Sequence, residues 1–229
     1  MAEAARKRVR PVLGRLCLVA CGSFNPPTVM HLRMLEMCRD ALTERGYEVT
    51  GGYLSPVGDG YRKKGLLPAA HRLAMCRAAA DESDWIKCDA WEAEQREHIM
   101  TRVVLERFQE RVDGRVVLAC GADLLQSMLT PGVWSDEDLE IILGKYGVAC
   151  LERADLADLT KLLDETPLFR KHRDNIYLVK QPIYNNVSST IVRNLVRTSG
   201  SIRYLVPHPV ERYIRDSGLY LDDPSHASL

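Results

Sequence analysis

The chain has 229 residues, with 31 Lys+Arg against 31 Asp+Glu and a formal net charge of zero. That balance gives no electrostatic argument for DNA, RNA or an anionic membrane as the main partner. Hydrophobic residues make up 46% and charged residues 27%, the usage of an ordinary globular domain whose core needs no disulfide staples.

The seven cysteines are odd in number, form no C-x-x-C pair and sit mostly in apolar runs. They read as small hydrophobes in a reduced intracellular protein, cytoplasmic and/or nuclear, and not as a zinc site or a disulfide framework. Residues 1–10 are polar and basic, and the apolar run at 16–21 is too short to span a bilayer. Arg6-Lys7-Arg8-Val9-Arg10 reads as a solvated terminus, with a nuclear import signal as the alternative.

In chain order, the continuous apolar run 16–21 reads as a strand buried on both faces. Residues 28–45 carry Leu32, Leu35, Cys38 and Leu42 at helical spacing, and Gly46 stops that helix. Strand 48–54, a Gly- and Pro-containing loop 55–68, helix 69–80 and strand 85–88 follow. A second cycle reads as helix 94–112, strand 115–120, short helix 124–128, helix 136–143 and strand 147–151. Helix 156–163, strand 176–179 and two closing helices at 190–197 and 207–216 complete the chain.

Strands separated by helical crossovers predict an α/β fold, a Rossmann-like doubly wound parallel sheet with a C-terminal helical region. Ligands on such sheets sit at the carboxyl ends of the strands. No linker divides the chain. The expectation is a flexible basic N-terminus over residues 1–14, one domain over 15–221 and a flexible tail over 222–229.

The first chemical motif is Gly22-Ser23-Phe24-Asn25-Pro26-Pro27-Thr28-Val29-Met30-His31. Gly22 lets the backbone approach a phosphate or sugar, the prolines stiffen the turn, and Thr28 suits a helix N-terminus. His31 then falls in the first helical turn, where free N–H groups and the helix dipole favour an anion. The second motif, Val187-Ser188-Ser189-Thr190-Ile191-Val192-Arg193, places three hydroxyls before a helix and an arginine one turn on. Two such helix starts suit one polyphosphate.

The first motif resembles the nucleotidyltransferase superfamily pattern G-x-F-x-P-x-H-x-G-H, with Thr28 for its first His and Met30 for its Gly. Those two departures match the eukaryotic nicotinamide/nicotinate mononucleotide adenylyltransferases, whose version reads G-S-F-N-P-x-T-x-M-H-L-R. The second motif resembles that superfamily's I-S-S-T-x-x-R, with Val187 for Ile. The resemblance runs from about Leu16 to Tyr220.

It implies adenylyl transfer from ATP to nicotinamide mononucleotide, and to nicotinate mononucleotide, with Mg²⁺ carried on the ATP phosphates. It implies ATP contacts at Gly22, Ser23, Phe24, His31, Lys63, Lys64, Ser188, Ser189, Thr190 and Arg193, with His31, Arg193 and Lys63 as the catalytic group. For the mononucleotide and NAD it implies Ser23, Phe24, Tyr61, Trp91, Glu92, Gly121, Asp123, Val133, Trp134, Arg153 and Asn185. Lys63 and Lys64 belong to a Gly-rich cationic loop suited to closing over phosphates. Trp91 and Glu92 suit an aromatic cation, and Asp123 a ribose. His71-Arg72 reads as a loop-supporting pair. No protein metal ligands, nucleic acid or membrane are implied, and sheet edges leave room for a homo-oligomer.

Residues 111–115 lack the insertion that carries targeting signals in animal members, so compartment is not carried over. Two other readings stay open. One is a superfamily transferase acting on a phosphorylated alcohol or pantetheine; the other is a non-catalytic interaction protein that keeps the fold.

Overall fold

A computed structural model describes residues 12–152 and 159–221. Residues 1–11 and 222–229, which take in most of the termini expected to be flexible, lie outside the described residues, as does Arg153.

Six parallel strands form one sheet in the order β3-β2-β1-β4-β5-β6. They are β1 (Gly14–Gly22), β2 (Tyr47–Pro56), β3 (Ile86–Cys88), β4 (Arg115–Gly121), β5 (Val148–Leu151) and β6 (Ile176–Val179). The order reverses between β1 and β4, so the crevice at that switch point opens at the carboxyl ends marked by Gly22 and Gly121. β1 is buried from Leu16 to Ala20, as its unbroken apolar run requires of a central strand covered on both faces.

One face is covered by α1 (Val29–Glu44) and α2 (Ala69–Ala80), whose Met34, Leu35, Cys38 and Cys76 pack on Leu16, Leu18, Val117 and Ala149. The other is covered by α3 (Thr101–Gln109), α5 (Asp136–Ile141) and α6 (Leu159–Glu165), through Val104, Leu105, Leu139 and Leu163. The short α4 (Ala122–Ser127) and α7 (Pro167–Lys171) complete that side. At the C-terminal end, α8 (Ser189–Arg197) and α9 (His208–Asp216) form a third apolar cluster with α2. All seven cysteines are free thiols, five of them buried.

Three stretches depart from the expected elements. Residues 94–100 are not helical, and α3 starts at Thr101. Gln95 instead donates its side-chain amide to the Trp91 carbonyl at 2.7 Å, closing a compact turn. The helix expected over 136–143 ends at Ile141 and widens into a π-type turn over Ile142–Tyr146. The helix expected from 156 is described from Leu159, and α7, which begins at a proline, was not foreseen.

Candidate active site

β1 ends at Gly22, and the chain turns through residues 23–28 into α1. Phe24 takes a left-handed φ of 44°, is buried, and sets its ring edge-on to that of His31 with centroids 5.1 Å apart. An unusual backbone conformation held by packing is typical of a ligand-facing turn. Thr28 is extended and caps α1. Its backbone N–H donates to Nδ1 of His31 at 2.9 Å. That bond takes the Nδ1 lone pair, so the ring carries its proton on Nε2. Burial lowers the His31 pKa to about 4.

His31 is therefore a neutral hydrogen-bond donor at neutral pH. The start of α1 is also less open than expected, because the Val29 N–H is taken by the Leu205 carbonyl at 3.0 Å. What α1 offers is its dipole and the imidazole N–H.

α8 begins as its sequence predicts, with Ser188 accepting from the Ile191 N–H at 3.3 Å as N-cap. It is stitched to the first motif by two hydrogen bonds. Ser189 Oγ donates to the Pro26 carbonyl at 2.7 Å, and Arg193 donates to the Asn25 carbonyl at 2.9 Å. The second arm of Arg193 donates to Thr190 Oγ1 at 3.3 Å. Ser189, expected among the phosphate donors, thus spends its hydroxyl proton on joining the two motifs.

The cleft so formed has a volume of about 450 Å³. Gly22, Ser23, Phe24, His31, Lys63, Lys64, Gly121, Asp123, Asn185, Ser188, Ser189, Thr190 and Arg193 all line it. Every residue expected to contact ATP is in that set. Its floor carries Cys21 and Cys120 at the ends of β1 and β4. Burial pushes the Cys21 thiol well up, and the contact with Cys150, then burial, does the same to Cys120. Neither offers a thiolate nucleophile.

Tyr61, Trp91, Glu92, Val133 and Trp134, expected at the mononucleotide, stand outside the lining of this cleft. Trp91 and Trp134 pack on the same core layer as Cys21 and Leu124, both of which line it. Trp134 is fixed by donating Nε1–H to Ser127 at 3.1 Å, and one face of Trp91 lies 4.6 Å from the Arg107 guanidinium carbon. Tyr61 is exposed and packs on the ring of His98, and Val133 is exposed. Glu92 is buried and accepts the Ser55 hydroxyl at 2.5 Å beside Cys21. Burial raises its pKa to about 7.

Asn25, Gln181 and Asn186 line the cleft without having been singled out as ligands. Asn25 lies inside the first motif, which was the available signal. Gln181 is buried, donates to the Glu152 carbonyl at 2.8 Å and accepts from the Asn185 N–H at 3.3 Å, so it shapes the loop that carries Asn185.

Comparison with known proteins bears on this arrangement. Residues 19–195 match the cytidylyltransferase-like family. A nicotinamide/nicotinic acid mononucleotide adenylyltransferase of Oryza sativa subsp. japonica is 44% identical over 216 residues, covering 90% of this chain and 86% of its own length. One from Saccharomyces cerevisiae is 42% identical over 235 residues, covering 95% of this chain but 58% of its own length. One from Bos taurus is 38% identical over 256 residues, covering 93% of this chain and 91% of its own. A solved Plasmodium falciparum nicotinic acid mononucleotide adenylyltransferase complexed with NaAD shares the fold, with a TM-score of 0.68 at 18% identity over 90% of this chain and 97% of that one.

Proposed function

The chain belongs to the cytidylyltransferase-like family, among its nicotinamide/nicotinic acid mononucleotide adenylyltransferases, and on that premise we propose how its cleft carries the transfer. It is a nucleotidyltransferase of NAD biosynthesis. A 5′-phosphate oxygen of the mononucleotide attacks the α-phosphorus of ATP in line. The bond from that phosphorus to the bridging oxygen breaks, and pyrophosphate leaves with the bonding pair. The product is NAD from nicotinamide mononucleotide, or its deamido form from the nicotinate. No side-chain nucleophile takes part.

The observation that carries this reading is the stitching of α1 and α8 to one turn, so that two helix dipoles and Arg193 face one cleft. Catalysis then rests on bringing two anions together and meeting the charge that develops on the leaving pyrophosphate. Lys63, Lys64 and Arg193 supply positive charge; His31 supplies a neutral N–H. Trp91 and Trp134, packed on the core layer that also carries Cys21 and Leu124 of the cleft lining, are the aromatic side chains of suitable chemistry for the pyridine ring.

Asp123 is the only carboxylate among the described residues that line the cleft, and no group of three or more metal-ligating side chains is present among the described residues. That donor set fits Mg²⁺ held by phosphate oxygens and water rather than by a protein cage. When present, the ion neutralises charge on the leaving pyrophosphate.

The test is a coupled assay with purified protein, ATP, Mg²⁺ and either mononucleotide, reading dinucleotide and pyrophosphate. Formation of dinucleotide supports the proposal. Pyrophosphate release with a different phosphoester, or no turnover with any acceptor, overturns it.

A further inference from the structure

A buried polar network runs from the nucleotide turn to the last described residues. Its hub is Asn25, which is 5% exposed. The Asn25 amide nitrogen donates to the Gly65 carbonyl at 2.8 Å. Its amide oxygen accepts from the Tyr220 hydroxyl at 2.8 Å and, more weakly, from the Leu67 N–H at 3.4 Å. Flipping the amide would set oxygen against the Gly65 carbonyl and N–H₂ against the Leu67 N–H, so a single orientation satisfies the loop.

Gly65 and Leu67 form the outgoing foot of the loop that carries Lys63 and Lys64. Arg72 holds the same loop from below. Its side chain is fully buried. It donates to the Leu67 carbonyl at 2.8 Å, to the Ser23 carbonyl at 3.1 Å and to Asp59 at 3.5 Å. Asp59 in turn accepts the Ala69 N–H at 2.7 Å. Both feet are therefore tied to buried side chains, while Lys63 and Lys64 remain exposed at the crest.

Tyr220 sits 8% exposed in the cluster built by α2, α8 and α9. Its ring is held by packing, and its hydroxyl reaches Asn25 across 195 residues of sequence. We propose that Tyr220 is a positioning residue for the adenylyl transfer: acting through Asn25, it holds the Lys63–Lys64 loop at the height where its two ammonium groups meet the ATP phosphates. The proposal rests on the activity given above. Tyr220 touches neither substrate; it acts only through the amide it orients.

Tyr220→Phe removes the hydroxyl and keeps the ring. The loop is read in the ligand-free protein by limited trypsin digestion, since Arg62, Lys63 and Lys64 are exposed there. The expected result is cleavage between residues 62 and 65 about fivefold faster than in the unsubstituted chain, the scale of one lost hydrogen bond. KM for ATP rises by a similar factor and KM for the mononucleotide stays within about twofold. Asn25→Ala gives the same pattern, and the double variant is no worse than Asn25→Ala alone. Leu219→Ala, which loosens the same packing without touching the hydroxyl, lowers Tm without that split between substrates.

Unchanged cleavage with unchanged KM for ATP in Tyr220→Phe overturns the proposal, as does full additivity with Asn25→Ala. Absence of dinucleotide from the unsubstituted chain is a failure of the activity itself; the cleavage ratio still decides whether Tyr220 holds the loop.

Discussion

Thr28 and His31 are joined by a hydrogen bond of 2.9 Å from a backbone N–H to a ring nitrogen. That bond fixes the orientation of the imidazole and leaves its proton on Nε2, while burial keeps the ring neutral over the whole range in which histidine ordinarily titrates. With its pKa lowered to about 4 by burial, His31 gives no inflection in a profile of kcat against pH between about 5.5 and 8. His31→Ala should lower kcat by about 10²- to 10³-fold, by a constant factor across that range. A loss that grew towards acid pH would show that the ring acts as a cation.

Glu92 ties stability to pH with the opposite sign from an ordinary carboxylate. Burial raises its pKa from 4.5 to about 7, so between those values the folded chain holds a proton that the unfolded chain has released. Stability should therefore fall as pH climbs through that window, by on the order of 3 kcal/mol, and level off above it. Glu92→Gln removes this dependence while still accepting the Ser55 hydroxyl. Thermal unfolding of the ligand-free protein at pH 5 and pH 8 measures the effect; the gap in Tm should be smaller in the variant.

Arg193 holds a carbonyl of the first motif with one arm and Thr190 with the other. A lysine has the charge without the fork. Arg193→Lys should cost about 10²-fold in kcat/KM for ATP, and Arg193→Ala more, with far-ultraviolet circular dichroism unchanged. Steady-state kinetics with ATP varied at saturating mononucleotide decide it.

Trp134 is pinned through its indole N–H to Ser127 and lies beside the cleft rather than in it. Trp134→Ala should raise KM for the mononucleotide about tenfold and leave KM for ATP within about twofold, as expected of a residue that meets one substrate only. Equal effects on both substrates would place the indole in support of the fold.

Consecutive residues made the first motif legible. Gly22, Thr28 and His31 follow one another through a strand, a turn and a helix in the order the sequence states directly, whereas the left-handed φ of Phe24 is set by packing and was not readable. The parallel sheet was legible for the same reason, since buried strands such as 16–21 and 116–120 are unbroken apolar runs. Residues 94–100 misled because the helical pattern there is overridden by a distant contact. Gly58 packs so tightly that a Cβ on it would stand 2.9 Å from the carbonyl oxygens of both Glu92 and Gln95. The turn over Trp91–Gln95 is thus shaped by a loop some thirty-five residues earlier. The neutrality of His31 and the partner of Ser189 were equally out of reach, since the first depends on how deeply the fold buries the ring and the second on which carbonyl lies nearby in three dimensions.

The stitch between Asn25 and Arg193 spans 168 residues of chain. During synthesis the first motif leaves the ribosome long before the segment that completes its cleft. At elongation rates of about 5–20 residues per second, a nascent chain spends on the order of ten seconds or more with the first motif synthesised and the second still missing. The joining of the two motifs is therefore among the last features the molecule gains, made only once α8 has been synthesised.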